Sequence, residues 1–157
     1  MRFFMIDRIV EFKKGDYARG IKNITLTDEI LHDHFPEYPV YPGTFIVEGM
    51  AQLGGFLLEM TYNSKKKIRR AVLVKIESAK FHKPAEPGDT LILEARILQQ
   101  YEKGMRVKIS AFIHSEKVAA AQLTYLMKDI DYPKIHEQRK YIYRLWTKHI
   151  INFPKIL

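Results

Sequence analysis

Three prolines in close succession, Pro36, Pro39 and Pro42, stiffen a loop that runs straight into the most apolar stretch of the chain. Each proline fixes its own φ, so this loop has few conformations to lose on folding. Pro42 suits the first turn of a helix, where its missing N–H would have had no partner anyway. Residues 44–62 then read as one long helix. The Gly43 amide falls in that first turn, free to donate to a substrate oxygen and reinforced by the helix dipole. His34 opens the loop and Glu48 lies on the helix. A base, an acid and an oxyanion donor are thus available within one short stretch. Gln52 follows Glu48 by one turn on the same face, where it can orient the carboxyl group or a water.

The flanking sequence alternates as strands do. Residues 6–12 read as a strand, Lys13-Lys14-Gly15-Asp16 as a hairpin turn, and residues 17–25 as the returning strand. Thr27 is a plausible N-cap for a short helical turn. Gly49, Gly54 and Gly55 each lower helix propensity by about 1 kcal/mol, which is tolerable where another backbone comes close. Residues 71–81, 90–100, 105–114 and 118–127 read as further strands, with turns at 84–89, 102–104 and 115–117. Strands, one helix, then a run of strands is an α+β order that antiparallel hairpins satisfy.

The length suits one domain, and hydrophobic residues at 46% suffice for a core. Cysteine is absent, which excludes a disulfide framework and a thiolate nucleophile. Met1-Arg2-Phe3-Phe4-Met5 runs directly toward a strand pattern, so no signal peptide is expected. Glu48, Gln52 and Glu59 interrupt the apolar segment, which therefore does not read as a membrane span. A cytoplasmic location is expected. The net charge of +8 is concentrated in two places, Ser64-Lys65-Lys66-Lys67-Ile68-Arg69-Arg70 and residues 132–157, leaving a slightly acidic body. Such patches steer acidic partners, or simply stay solvated. In the tail, Ile135, Ile142, Leu145, Trp146, His149 and Ile150 approximate one helical face, with Arg139, Lys140, Arg144 and Lys148 opposite. A helix docked on its own or a neighbouring subunit is expected there, with a membrane-surface or partner-binding helix as the alternative. The division expected is 1–131 and 132–157.

The stretch His34-Phe35-Pro36-Glu37-Tyr38-Pro39-Val40-Tyr41-Pro42-Gly43, with Glu48 beyond it, resembles the signature of the FabZ-type 3-hydroxyacyl-[acyl-carrier-protein] dehydratases. The likeness extends to Phe4-Met5-Ile6-Asp7-Arg8-Ile9, to Ile21-Lys22-Asn23-Ile24-Thr25, to Ala79-Lys80-Phe81-His82-Lys83-Pro84 and to Pro87-Gly88-Asp89. Asp33 stands where the family usually has glycine, and Tyr41 where methionine or phenylalanine is common. Few residues precede the first strand and about 25 follow the last. The resemblance implies a hot-dog fold, a curved antiparallel sheet wrapped around a long helix, with an extra C-terminal helix here. It implies a homodimer, or a hexamer built as a trimer of dimers, with active sites at the subunit interface. It also implies no metal or other cofactor, although His32-Asp33-His34 superficially suggests a ligand cluster.

The chemistry implied is elimination of water from a 3-hydroxyacyl thioester. Neutral His34 suits the base at C2, since imidazole exchanges protons near neutral pH. Protonated Glu48, in an apolar tunnel, suits the acid at the C3 oxygen. The Gly43 N–H suits the thioester carbonyl, with Gln52 positioning. The resemblance assigns His34 and Glu48 to opposite subunits. Phe35, Tyr41 and Phe81 are expected to line the acyl channel, with ordinary packing as the alternative for Tyr41. Lys65, Lys66, Lys67, Arg69 and Arg70 are the expected contacts for an acidic acyl carrier protein, preferred over nucleic acid as the partner. A hot-dog thioesterase would lack the proline-rich histidine loop. A non-catalytic acyl-binding module would be expected to lose His34 or Glu48.

Overall fold

The computed structural model describes residues 3–102 and 104–157. Six strands form one antiparallel sheet: β1 (Arg8–Lys13), β2 (Tyr17–Asn23), β3 (Arg70–Phe81), β4 (Thr90–Tyr101), β5 (Gly104–Ile113) and β6 (Glu116–Lys128). Their order across the sheet is β1-β2-β4-β5-β6-β3. The long helix α1 (Gly43–Tyr62) packs against β2 to β6, and α2 (Pro133–Thr147) follows the last strand. This is the hot-dog arrangement with its additional C-terminal helix.

Alternation decides which face each strand buries. Along β4, Leu91, Leu93 and Ala95 point inward, and along β5 Val107, Ile109 and Ala111 do the same. They meet Met50, Leu53 and Leu57 of α1, all fully buried. Side chains at every second strand position share a face, so one register buries the whole apolar set. Helix α1 is buried almost all round from Leu53 to Glu59, because α2 covers the side that the sheet does not. Phe56 joins the two layers. Its ring lies 5.0 Å from that of Tyr143, 6.4 Å from Trp146 and 6.2 Å from Phe153. Gly54 is needed for closeness: a Cβ there would lie 2.5 Å from the Tyr125 hydroxyl.

Several expected boundaries shift. β1 starts at Arg8 rather than Ile6, and β2 ends at Asn23 rather than Thr25. The short helix, a 3-10 turn over Glu29–His32, has Asp28 rather than Thr27 at its N-cap. The Asp28 carboxylate turns back to accept the Thr25 N–H at 3.2 Å. The β5–β6 turn sits at His114 and Ser115, both with positive φ (47° and 66°), one residue before the expected place. Positive φ at both central residues matches the twist of a tight hairpin. The expected 102–104 turn includes Lys103, and the N-terminal reading includes Met1 and Arg2; these three lie outside the described residues.

The tail helix also differs from its predicted face. Ile142 and Trp146 are buried as expected, but Tyr143 is buried where Leu145 was expected, and Leu145 is 42% exposed. Burial follows the aromatic stack on Phe56, which takes the Tyr143 ring edge-on. Arg139, expected on the solvent side, is half-buried and turned toward Glu59, 4.0 Å away.

Candidate active site

The proline loop is held by its own backbone. Val40 N–H donates to the His34 carbonyl (2.7 Å), and Phe35 and Tyr38 exchange both hydrogen bonds (2.9 and 3.0 Å). Tyr41 N–H ties the loop to the Ala85 carbonyl (2.7 Å). The His34 ring is fixed from one side: Nδ1 lies 2.7 Å from the Val40 carbonyl. A carbonyl only accepts, so Nδ1 carries the proton and neutral His34 keeps its lone pair on Nε2. The Phe35 ring stacks on the imidazole at 4.3 Å and is itself about half exposed. The tautomer a base requires is thus set by the loop that the prolines stiffen.

Helix α1 begins at Gly43 with Pro42 at the N-cap, where no side chain caps it. The N–H groups of Phe45 and Ile46 both reach the Pro42 carbonyl (2.9 and 3.2 Å). Among the described residues nothing accepts from the Gly43 N–H, which remains a donor at the positive end of a 20-residue helix. A Cβ at position 43 would lie 2.8 Å from the Phe81 ring, so any side chain there would push that ring out of its place over the helix start. His34, Gly43, Phe81 and Tyr41 line one cleft of about 570 Å³. Tyr41 contributes from beneath: it is buried, its hydroxyl donates to Met5 Sδ (3.3 Å), and burial pushes its pKa well up.

Glu48 lies elsewhere. It is five residues on from Gly43, about 140° around the helix at 3.6 residues per turn. It lines a second cleft, of about 520 Å³, with Gln52, Phe3, Phe4 and three residues of α2. The two clefts share no lining residue. Gln52 Nε2 donates to Glu48 Oε1 and to the Phe3 carbonyl, both at 2.9 Å, and its Oε1 accepts the Met5 N–H at 2.9 Å. Every hydrogen-bonding group of that amide is engaged, so the orientation of the Glu48 carboxyl is set by the approach of the segment that precedes β1. Nothing in the sequence pattern marks Phe3 and Met5 for that task. Nearby, Tyr125 is buried and donates to the Ala51 carbonyl at 2.9 Å. Burial first, and the Glu48 charge second, raise its pKa and keep it a donor.

The basic run is divided by the fold. Ser64 and Lys67 exchange backbone hydrogen bonds (3.0 and 3.1 Å), which presents Lys65, Lys66 and Lys67 on an exposed turn. Arg69 is half-buried, its backbone clasped by the Asn63 amide. Arg70 corrects the expectation of a carrier contact. It is 2% exposed, and its Nη1 lies 2.6 Å from Glu59 Oε2, so it cannot touch a partner. Burial of a cation requires such a partner, and Glu59, equally buried, supplies it. Among the described residues no group of three or more His, Cys, Asp or Glu is arranged to hold a metal ion. No helix among them is long and apolar enough to cross a membrane.

The sequence matches the family model of the FabA-like domain over residues 1–122. It is 34% identical over 131 residues to the 3-hydroxyacyl-[acyl-carrier-protein] dehydratase FabZ of Sulfurovum sp., covering 81% of this chain and 88% of that one. It is 35% identical over 122 residues to the protein of the same name from Nitratidesulfovibrio vulgaris, covering 78% and 79%. The fold resembles the crystal structure of a hot-dog-like protein from Thermanaerovibrio acidaminovorans, with a TM-score of 0.63 at 18% identity over 84% of this chain and 93% of that one.

Proposed function

The chain belongs to the FabZ-type 3-hydroxyacyl-[acyl-carrier-protein] dehydratases of the FabA-like family, which are hydro-lyases, and we propose that His34 and Glu48 carry out its reaction. The substrate is a 3-hydroxyacyl chain held as a thioester on an acidic acyl carrier protein, and the product is the trans-2-enoyl thioester of fatty-acid biosynthesis. His34 Nε2 takes the proton from C2. The electron pair forms the C2–C3 double bond as the C3–O bond breaks. Glu48 gives its proton to the departing hydroxyl, which leaves as water. The Gly43 N–H, at the positive end of α1, stabilises the charge that gathers on the thioester oxygen. Exchange with solvent returns both groups to their starting states. In the hydrating direction acid and base exchange roles.

The observation that carries this reading is the His34–Val40 hydrogen bond, which leaves Nε2 as the basic nitrogen beside the free Gly43 amide. Separation of His34 and Glu48 into two clefts supports assembly of each site from two copies of the chain. The sheet supports it too. β3 is an edge strand, and Val72, Val74, Ile76 and Phe81 along it are 37 to 52% exposed. An apolar edge of that kind favours pairing with a second copy. Such a dimer would carry the His34 cleft of one copy to the Glu48 cleft of the other, and three dimers would make the hexamer. Phe35 and Phe81 line the acyl path, Lys65, Lys66 and Lys67 meet the carrier, and residues 132–157 form an extension on a domain of residues 1–131. A cytoplasmic location fits this role.

The test is direct. Purified protein given a carrier-bound 3-hydroxyacyl substrate should form the enoyl thioester, followed by its ultraviolet absorbance. Release of free thiol in place of enoyl product would reveal thioester hydrolysis and overturn the reading.

A further inference from the structure

The Glu48 cleft is closed on one side by α2, which lies beyond the 1–122 span of the family match. Gln138, Arg139 and Tyr141 face Glu48 and Gln52 across it, with Phe3 and Phe4 beside them. The wall is therefore mixed: two phenylalanines, one tyrosine, an amide and a guanidinium. Arg139 is its least satisfied member. Its Nε is buried with no hydrogen-bond acceptor, and the carboxylate of Glu59, at 4.0 Å, lies beyond hydrogen-bonding distance. Glu59 already accepts from Arg70 Nη1 and from the Ala71 N–H. Arg139 is half-buried, so its guanidinium adds a fixed positive charge to the wall of the space that an acyl chain reaching past Glu48 would enter.

A saturated chain offers that guanidinium and the Gln138 amide no hydrogen-bond acceptor. Each methylene laid against Arg139 and Gln138 displaces water from polar groups and gives no hydrogen bond in return. A short chain leaves that wall hydrated. We propose that α2 is the selectivity wall of the acyl site, and that Arg139 with Gln138 sets a preference for short 3-hydroxyacyl chains over long saturated ones. The proposal rests on the dehydratase reading and deepens it by naming the substrate class. Arg139 and Gln138 act here as specificity-determining residues, with the chemistry left to His34 and Glu48.

The test measures kcat/KM for carrier-bound 3-hydroxyacyl chains of four, eight, twelve and sixteen carbons. Wild type should favour the four-carbon chain over the sixteen-carbon chain by tenfold or more. Arg139→Met and Gln138→Leu should each raise the sixteen-to-four ratio, together by about tenfold, since a well-placed apolar contact discriminates on that scale. Because Arg139 also faces Glu59, Gln138→Leu serves as the variant on an exposed position that leaves this contact in place, and circular dichroism verifies that each variant is folded. Tyr141→Ala, which opens the same wall, should shift the ratio in the same direction. A flat profile in wild type, or ratios unchanged in all three folded variants, would overturn the proposal while leaving the dehydratase reading intact. Absence of enoyl product from every chain length would instead overturn the dehydratase reading.

Discussion

Replacing Glu59 by methionine should cost this protein about 3–5 kcal/mol of stability, the usual consequence of removing one partner from a buried ion pair. Glu59 and Arg70 are each 2% exposed, and their closest approach is 2.6 Å. Arg70 Nε already donates to His136 Nδ1 at 3.0 Å, and Nη2 has no acceptor. Loss of the carboxylate therefore strands a guanidinium with one neutral contact, and orphans the Ala71 N–H that Glu59 accepts at 3.0 Å. A typical domain has only about 5–15 kcal/mol to lose. Arg70→Met should also destabilise, since it strands the carboxylate. The double variant should lose less than the sum of the two by about 1–3 kcal/mol, because each change removes the charge the other leaves unpaired. Equilibrium urea unfolding at one fixed protein concentration measures all four free energies, the fixed concentration being needed because any self-association would add to stability. A single-variant loss under about 1 kcal/mol, or strict additivity, would refute this account of how α1, β3 and α2 are joined.

Reversing Lys65, Lys66 and Lys67 to glutamate should raise KM for carrier-bound substrate, and the wild-type KM should rise with salt; equal losses on a short pantetheine thioester would place the defect elsewhere. Trp146, the only tryptophan and 2% exposed, should emit in the blue and resist iodide quenching. Truncation after Asp131 should destabilise the protein, because the buried Ile142, Tyr143 and Trp146 each contribute about 1.5–3 kcal/mol before ordering costs; unchanged stability would contradict the packing. The hydrogen bond from Arg19, with Arg96 in support, holds the Glu94 carboxyl below its ordinary pKa. That contribution is present above the unfolded-state pKa and is lost as pH falls through the lower folded-state value. Glu94→Gln should thus lower stability at pH 7 and flatten the decline on acidification, as followed by thermal melts across pH.

Much of the fold is visible in local patterns. Alternation at Leu91, Leu93 and Ala95 marks β4, and Pro42 before an apolar run marks the start of α1, because each signal is carried by adjacent residues. His34, Gly43 and Glu48 are legible for the same reason. What is not legible depends on partners distant in sequence. Arg70 sits inside a basic run and reads as surface; only the return of β3 alongside Glu59 makes it a core residue. Tyr143 displaces Leu145 from the buried face because Phe56, on another helix, offers an aromatic surface. The engagement of Gln52 by Phe3 and Met5 requires the segment before β1 to lie along α1, and the α2 wall of the Glu48 cleft requires the tail to fold back. The β5–β6 turn is placed one residue late, at 115–117, because neither His114 nor Ser115 is the glycine or asparagine that usually marks positive φ.

The most direct test of the account is complementation between two inactive variants. His34→Ala and Glu48→Gln should each lose about 10²–10⁴-fold in dehydration rate, the usual contribution of a general acid or base. Co-expressed with different tags and purified through both, the two chains should form a dimer with one site lacking both groups and one site intact. That dimer should recover up to about half of wild-type activity, given independent sites. A mixed dimer as inactive as its parents would contradict the assembly of the site from His34 of one copy and Glu48 of the other. Wild-type rates in either single variant would contradict the catalytic assignment itself.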